Sequence, residues 1–310
     1  MAKIGYIQII RKCNQKCIIC SNPDNGREIS FSEAKKSIDA LKQSGHSDVI
    51  LTGGEPTLYP KLPELISYAK KRGLFPLIIT NGQKISDMNY LKKLQKAGLE
   101  DLHLSIYSNI DSIQYKLSRK KDSLANIKKA LDNIAETDIH AKINIVINKY
   151  NSDHLSKMVT WIVESYPNIK HFVFNNLDPF MNRVSENKDV VPRFNDFELE
   201  LHKALKILEN NGKTFRVERV PLCYMSGFEH VSTETRKIVK NEKRIIYFLD
   251  EKGMSSQSCW KRDESEKCEI CSLVKICAGV DLRGGYYKKE ELYPVFVDPQ
   301  KIIDKILETE

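Results

Sequence analysis

From residue 4 to residue 174 the chain alternates short apolar runs with helix-patterned stretches, and no other feature constrains its fold as strongly. The runs 4–10, 48–51, 75–80, 101–106, 141–147 and 170–174 read as strands. Segments 31–45, 61–72, 85–97, 124–134 and 154–164 carry apolar residues at helical spacing, the first with Ser30 as its N-cap. Strands joined through helices run parallel, because each crossover returns the chain to the same edge. Six such strands make an open doubly wound sheet or a barrel, and both place their chemistry at the C-terminal strand ends. The rhythm fades after residue 215, which divides a large unit, 1–215, from a smaller one, 216–310. Residues 178–193 read as a long polar loop that either covers the strand ends or links to the smaller unit, and 299–307 as an amphipathic helix.

Chemistry-bearing residues gather at those strand ends. After the first strand come Cys13, Cys17 and Cys20. Three thiolates this close can hold three corners of a four-iron cluster and leave the fourth iron open to a reactant. A zinc knuckle takes four N or S ligands, and no His or further Cys follows within that loop. The second strand ends in Leu51-Thr52-Gly53-Gly54-Glu55-Pro56. Its glycines let the backbone approach a ligand, Glu55 adds a fixed carboxylate and Pro56 stiffens the backbone beyond it. The plainer alternative is an ordinary strand-to-helix turn. Thr80 and Asn81 end the third strand, and Ser105 lies near the end of the fourth. Lys142 and Asn144 share one face of the fifth by its period of two and could line a barrel interior, and Asn148 follows them. Plainer roles are a backbone-bonded serine at 105 and a snorkelling lysine at 142.

No apolar run approaches the ~20 residues that span a bilayer. The N-terminus lacks an apolar h-region with a cleavage site, so a cytoplasmic location is the expectation. In that setting eight cysteines point to metal or redox chemistry rather than to disulfides. The formal charge of +8 comes from lysines dispersed among acids on helix faces, which reads as a solvated surface. Nucleic acid is not an expected partner.

The cysteine spacing and the Gly-Gly-Glu-Pro turn together resemble the signature of the radical S-adenosylmethionine (radical SAM) enzymes, over residues 4–178. The resemblance implies an α/β fold, an open six-stranded parallel (β/α)6 partial TIM barrel. It implies a 4Fe-4S cluster on Cys13, Cys17 and Cys20, with S-adenosylmethionine chelating the open iron. Gly53, Gly54 and Glu55 would then receive the methionyl amine. Ser105 would meet the carboxylate or ribose, as would Thr80, Asn81 and Asn148. Ile19 stands where the family usually has an aromatic residue whose backbone meets the adenine; an aliphatic side chain offers the backbone contact without stacking.

The second half holds Cys223, Cys259, Cys268, Cys271 and Cys277. The last three have ligand spacing and resemble part of the cysteine-rich SPASM extension of this family, or its shorter relative, the twitch domain. Asp281 stands where the full SPASM pattern has another cysteine, so one auxiliary 4Fe-4S cluster is expected. Cys259 is taken as its fourth ligand by proximity, which leaves Cys223 over; the reverse assignment satisfies the same count. A leftover Cys223 facing the barrel could give a hydrogen atom to a substrate radical, while its plainer reading is a buried, inert thiol. A structural zinc would suit the same four thiolates.

The implied reaction starts with an electron from a low-potential donor such as flavodoxin or ferredoxin. It yields a 5′-deoxyadenosyl radical that takes a hydrogen from the substrate. A ribosomally made peptide, modified by epimerisation, cross-linking or oxidation, is the expected substrate. The chain enters its first strand at Ile4, so no leader-binding domain is expected ahead of it, and a short peptide, a peptide delivered by a leader-binding partner protein and a small metabolite all stay open. A small-molecule dehydrogenase or cyclase is the rival within the class, and a non-catalytic iron-sulfur or zinc scaffold the rival outside it.

Overall fold

The computed structural model describes residues 3–308. Its first half runs β1 (Ile4–Ile10), α1 (Phe31–Gln43), β2 (Asp48–Gly53), α2 (Leu62–Lys71), β3 (Phe75–Thr80), α3 (Met88–Lys96), β4 (Asp101–Ile106), α4 (Asp111–Ser118) and α5 (Ser123–Ala135). Then come β5 (His140–Ile147), α6 (Leu155–Ser165), β6 (His171–Asn176), α7 (Arg183–Glu186), α8 (Phe194–Asn210) and β7 (Thr214–Glu218). The chain closes with α9 (Thr233–Val239), β8 (Arg244–Tyr247), β9 (Met254–Gln257) and α10 (Pro299–Glu308). Ser30 caps α1 in a reciprocal box with Glu33, satisfying two otherwise orphaned N–H groups.

The nine strands among the described residues form one sheet in the order β7-β6-β5-β4-β3-β2-β1-β8-β9, parallel except for the β8–β9 pair. The six expected strands are β1 to β6. The expectation of six is corrected to nine: β7 extends one edge, and β8 pairs with β1 at the other. The expected division after residue 215 falls inside β7, and residues 244–257 belong to the same sheet as the N-terminal strand.

Burial alternates along β4, β5 and β6. Leu102, Leu104, Ile143, Ile145, Phe172 and Phe174 are fully buried on the outer face. Each such side chain contributes roughly 1.5–3 kcal/mol through removal from water. His103, Ser105, Lys142, Asn144, His171 and Asn175 point the other way and are half-buried. This polar inner face curves around a cavity lined from β1 through β8. No helix among the described residues is long and apolar enough to cross a membrane.

Candidate active site

Two straps hold the cysteine loop over the C-terminal strand ends. Lys16 and Ile18 donate their N–H groups to the carbonyls of Ser118 and Leu117 at the end of α4 (3.1 and 2.9 Å). On the other side Arg183 donates from Nη1 to the Cys17 carbonyl (3.2 Å), and Asn182 donates to that of Ser21. Beneath lies a small apolar cluster of Cys17, Ile19, Leu117, Leu177, Val184 and Val190. Residues 178–193, read from sequence as a polar loop, contain α7 and pack on the cysteines.

Cys17 is buried, and Cys13 and Cys20 are half-buried. The Gln15 N–H lies 3.4 Å and Asn81 Nδ2 3.6 Å from Cys13 Sγ, and the Tyr107 hydroxyl is 3.7 Å from Cys17 Sγ. Burial pushes the Cys13 thiol up to about 11 and that of Cys17 to about 12, with the neighbouring sulfurs adding to both, and it raises Cys20 too. Three sulfurs so placed need a cationic centre to be held as thiolates at neutral pH, and an iron-sulfur cluster supplies one. The donor set fits that group.

The glycine turn explains why the loop sits where it does. A Cβ on Gly53, whose φ is +141°, would fall 1.9 Å from the Ile10 carbonyl oxygen. One on Gly54 would fall 2.2 Å from that of Arg11 and 2.5 Å from that of Lys12. Gly54 and Glu55 donate their N–H groups to Ile10 and Lys12 (2.6 and 2.9 Å), so the turn lies on the backbone leading into Cys13.

Glu55, 1% exposed, has its carboxylate taken up internally. Oε1 accepts from the Thr57 N–H and hydroxyl and from the Thr80 hydroxyl, and Oε2 from the Asn81 N–H. Glu55 and Thr80 therefore bolt β2 to β3 and hold Asn81, whose side chain reaches Cys13.

The other sequence candidates separate by height along their strands. Ser105 and Asn144 are paired neighbours on the inner face, and Asn144 accepts from Asn175 and lines the cavity, as does Ile19. Lys142 shares their face but forms an ion pair with Asp101 (3.1 Å), the first residue of β4, away from the strand ends. Asn148 is fully buried and shapes the turn after β5: it donates to the Val146 carbonyl and accepts from the Tyr150 N–H.

The inner cavity measures about 280 Å³ and opens into a mouth of about 750 Å³. Tyr6, His103, Asn176, Glu218, Arg219 and Arg244 line it and were not singled out from sequence. Tyr6 and His103 were accessible to the period-two argument; Glu218 and Arg244 lie on strands the apolar pattern did not reveal.

Farther along the chain, Cys223, Cys268, Cys271 and Cys277 line a second, small cavity. The N–H groups of Val295 and Gly279 approach Cys271 Sγ and Cys277 Sγ, both at 3.3 Å, and the Ser265 hydroxyl is 3.6 Å from Cys268 Sγ. Such donors stabilise ligating thiolates. Burial pushes the Cys223 thiol up to about 12. Cys259, expected beside the three, is instead exposed on the mouth of the inner cavity. Cys223, a hydrogen-atom donor only if it faces the barrel, is absent from the lining of the inner cavity and its mouth. Among the described residues no three His, Cys, Asp or Glu side chains converge as ligands of one ion would. Thiolates on a four-iron cluster each take a separate iron and stand farther apart.

A family model described as the radical SAM superfamily matches residues 7–162. The chain is 24% identical over 336 residues to 7,8-dihydro-6-hydroxymethylpterin dimethyltransferase of Methanocaldococcus jannaschii, covering 98% of this chain and 65% of that one. It is 24% identical over 302 residues to GTP 3′,8-cyclase of Syntrophomonas wolfei, covering 93% and 82%. It thus spans less than two thirds of the length of the first of these relatives. The fold is similar to that of Streptococcus suis SuiB bound to S-adenosylmethionine, with a TM-score of 0.68 at 15% identity, over 95% of this chain and 76% of that one. SuiB is also solved bound to the precursor peptide SuiA. With the matched segment spanning half of the chain and containing all three loop cysteines and the glycine turn, the chain belongs to the radical SAM superfamily.

Proposed function

We propose that this chain is an enzyme that reductively cleaves S-adenosylmethionine and removes a hydrogen atom from a substrate held against the sheet's polar inner face. The carrying observation is the convergence of Cys13, Cys17, Cys20, the Gly53–Gly54 turn and Asn81 at the C-terminal strand ends, beside a cavity. Cys13, Cys17 and Cys20 would hold the cluster, which, once reduced by an external low-potential donor, would supply the electron that breaks a sulfur–carbon bond of S-adenosylmethionine, with methionine and 5′-deoxyadenosine as products and the added hydrogen drawn from the substrate. The chain's own part is to fix the three sulfurs, shape the turn and exclude competing reactions.

Cys223, Cys268, Cys271 and Cys277 are the proposed ligands of an auxiliary 4Fe-4S cluster, which leaves Cys259 as the free thiol. Zinc would suit the same four thiolates, and metal analysis separates the two. Modification of a ribosomal peptide has the support of the fold shared with SuiB, solved with its precursor peptide. A second reading, a small anionic molecule, is favoured by the arginines lining the cavity and by the name of the GTP 3′,8-cyclase relative.

The test is anaerobic reconstitution with iron and sulfide, addition of S-adenosylmethionine and dithionite, and quantification of 5′-deoxyadenosine. Wild type should form it, and a Cys13→Ala/Cys17→Ala/Cys20→Ala variant should not. Absence of 5′-deoxyadenosine from a fully iron-loaded wild type would sink the reading.

A further inference from the structure

The inner cavity and its mouth share the residues Tyr6, Ser21, Asp178, Met181, Arg219 and Arg244 and form one continuous space. Its charged lining is Arg219, Arg244, Lys252 and Arg262 against Asp178 and Glu218. Arg244 is already engaged: it lies 3.9 Å from Glu218 and over the rings of Tyr6 and Trp260. Among the described residues neither Arg219 nor Arg262 forms an ion pair within 4.0 Å. A surplus of positive charge therefore faces the cavity.

Arg219 is held there at a cost. Its φ of +59° is left-handed, a region that favours Gly and Asn over long side chains. Its N–H is bound by Glu234 Oε2 (3.2 Å), and its carbonyl accepts from Asn176 Nδ2 (3.2 Å), so the backbone is pinned on both sides. Its Nε is buried without a hydrogen-bond partner. Strain retained at a residue whose donor has no protein acceptor is the pattern expected of a ligand clamp.

A second observation points the same way. Asn176, 1% exposed, lines the cavity and spends its amide hydrogens on the Arg219 carbonyl and the Tyr287 hydroxyl (2.8 Å). Its Oδ1 is buried and accepts nothing. A cationic donor and a neutral hydrogen-bond acceptor thus lie on two residues in contact with each other, both unfilled by the protein.

We infer that this space is the substrate site, and that the substrate is a small molecule with a phosphate or carboxylate group. Arg219 and Arg262 bind that group, and an adjacent O–H or N–H of the same molecule donates to Asn176. This rests on the small-molecule reading above, but its test needs no reductant and no turnover.

Pyrophosphate and citrate serve as probes, titrated calorimetrically into the reconstituted protein at low salt, with S-adenosylmethionine titrated separately. Arg219→Asn places in the left-handed position a residue that accepts it, so its melting temperature should hold at or above wild type. Either Arg219→Asn or Arg262→Gln should weaken the preferred probe by more than tenfold and change S-adenosylmethionine binding by less than about threefold, the scale of losing one charge-assisted bond. Tighter binding of pyrophosphate than citrate assigns a phosphate group, and the opposite order a carboxylate. Equal probe affinity in wild type and both variants, or no probe binding at all, overturns the inference. So does a parallel loss of S-adenosylmethionine affinity, which would give the arginines to the methionyl carboxylate. Retained probe binding in a protein that forms no 5′-deoxyadenosine would sink the catalytic reading while leaving the anion site standing.

Discussion

Glu218, the last residue of β7, and Arg244, the first of β8, face each other at 3.9 Å across the two ends of the parallel strand row. Six other strands separate β7 from β8 in the sheet order. A pair that close across such a row requires the sheet to curl until its ends nearly meet. Among the described residues no ladder of backbone hydrogen bonds joins β7 to β8, so side chains close the seam. Removing the carboxylate leaves a largely desolvated guanidinium over the rings of Tyr6 and Trp260, with the charges of Glu234 and Glu242 as its remaining electrostatic support.

Glu218→Ala should therefore cost about 1–3 kcal/mol, below the figure for a fully buried pair because about a fifth of each side chain is exposed. Urea unfolding at neutral pH reads this directly. An unchanged midpoint would mean that backbone packing alone sets the curvature.

Gly54 offers a sharper test, because it touches no sulfur. A methyl group there meets two backbone carbonyls at 2.2 and 2.5 Å, and backbone cannot swing aside as a flexible side chain can. Gly54→Ala should displace the Arg11–Lys12 peptide and with it Cys13. The expected outcome is loss of more than half of the N-terminal iron and of S-adenosylmethionine binding, with all eight cysteines intact. Full iron loading in the variant would show that the loop adapts.

The two spare cysteines can be told apart by iron content. Cys223→Ala should lower a fully loaded protein from about eight irons to about four, and Cys259→Ala should leave it at about eight. The reverse pattern would return the fourth-ligand role to Cys259 and require its segment to move.

That exchange shows where sequence reasoning stops. Cys259 stands nine residues from Cys268 and Cys223 forty-five, yet the more distant residue shares the cavity. Closeness in sequence and closeness in space point to different fourth residues here. The alternating strands and helices were legible, because short apolar runs and helix-spaced stretches repeat locally. Neither β8 nor β9 was, since Met-Ser-Ser-Gln in β9 has no apolar period and is extended only because it pairs with β8. In turn β8 depends on β1, some 240 residues away. Period two put Lys142 and Asn144 on the correct face. It carries no information on height along the strand, and height separates a lysine tied to Asp101 from an asparagine lining the cavity.

The inner face also sets an acid limit. Burial and the nearby Lys142 push His103 down to about 4; burial, Arg216, His103 and Lys142 push His171 down to about 3. Both titrate near 6.5 in an unfolded chain. Between pH 6.5 and 4 the unfolded state therefore binds protons that the folded state refuses. Stability contributed above pH 6.5 is lost as the pH falls through that window. Wild type should lose on the order of 1–3 kcal/mol between pH 6.5 and 5, and a His103→Asn/His171→Asn variant markedly less. Glu55 cannot produce the same slope, since burial raises its carboxyl and a raised acid gains stability as the pH falls. Urea midpoints at pH 7, 6 and 5 for the two proteins decide the matter. Parallel curves would place the acid-sensitive groups outside the sheet's inner face.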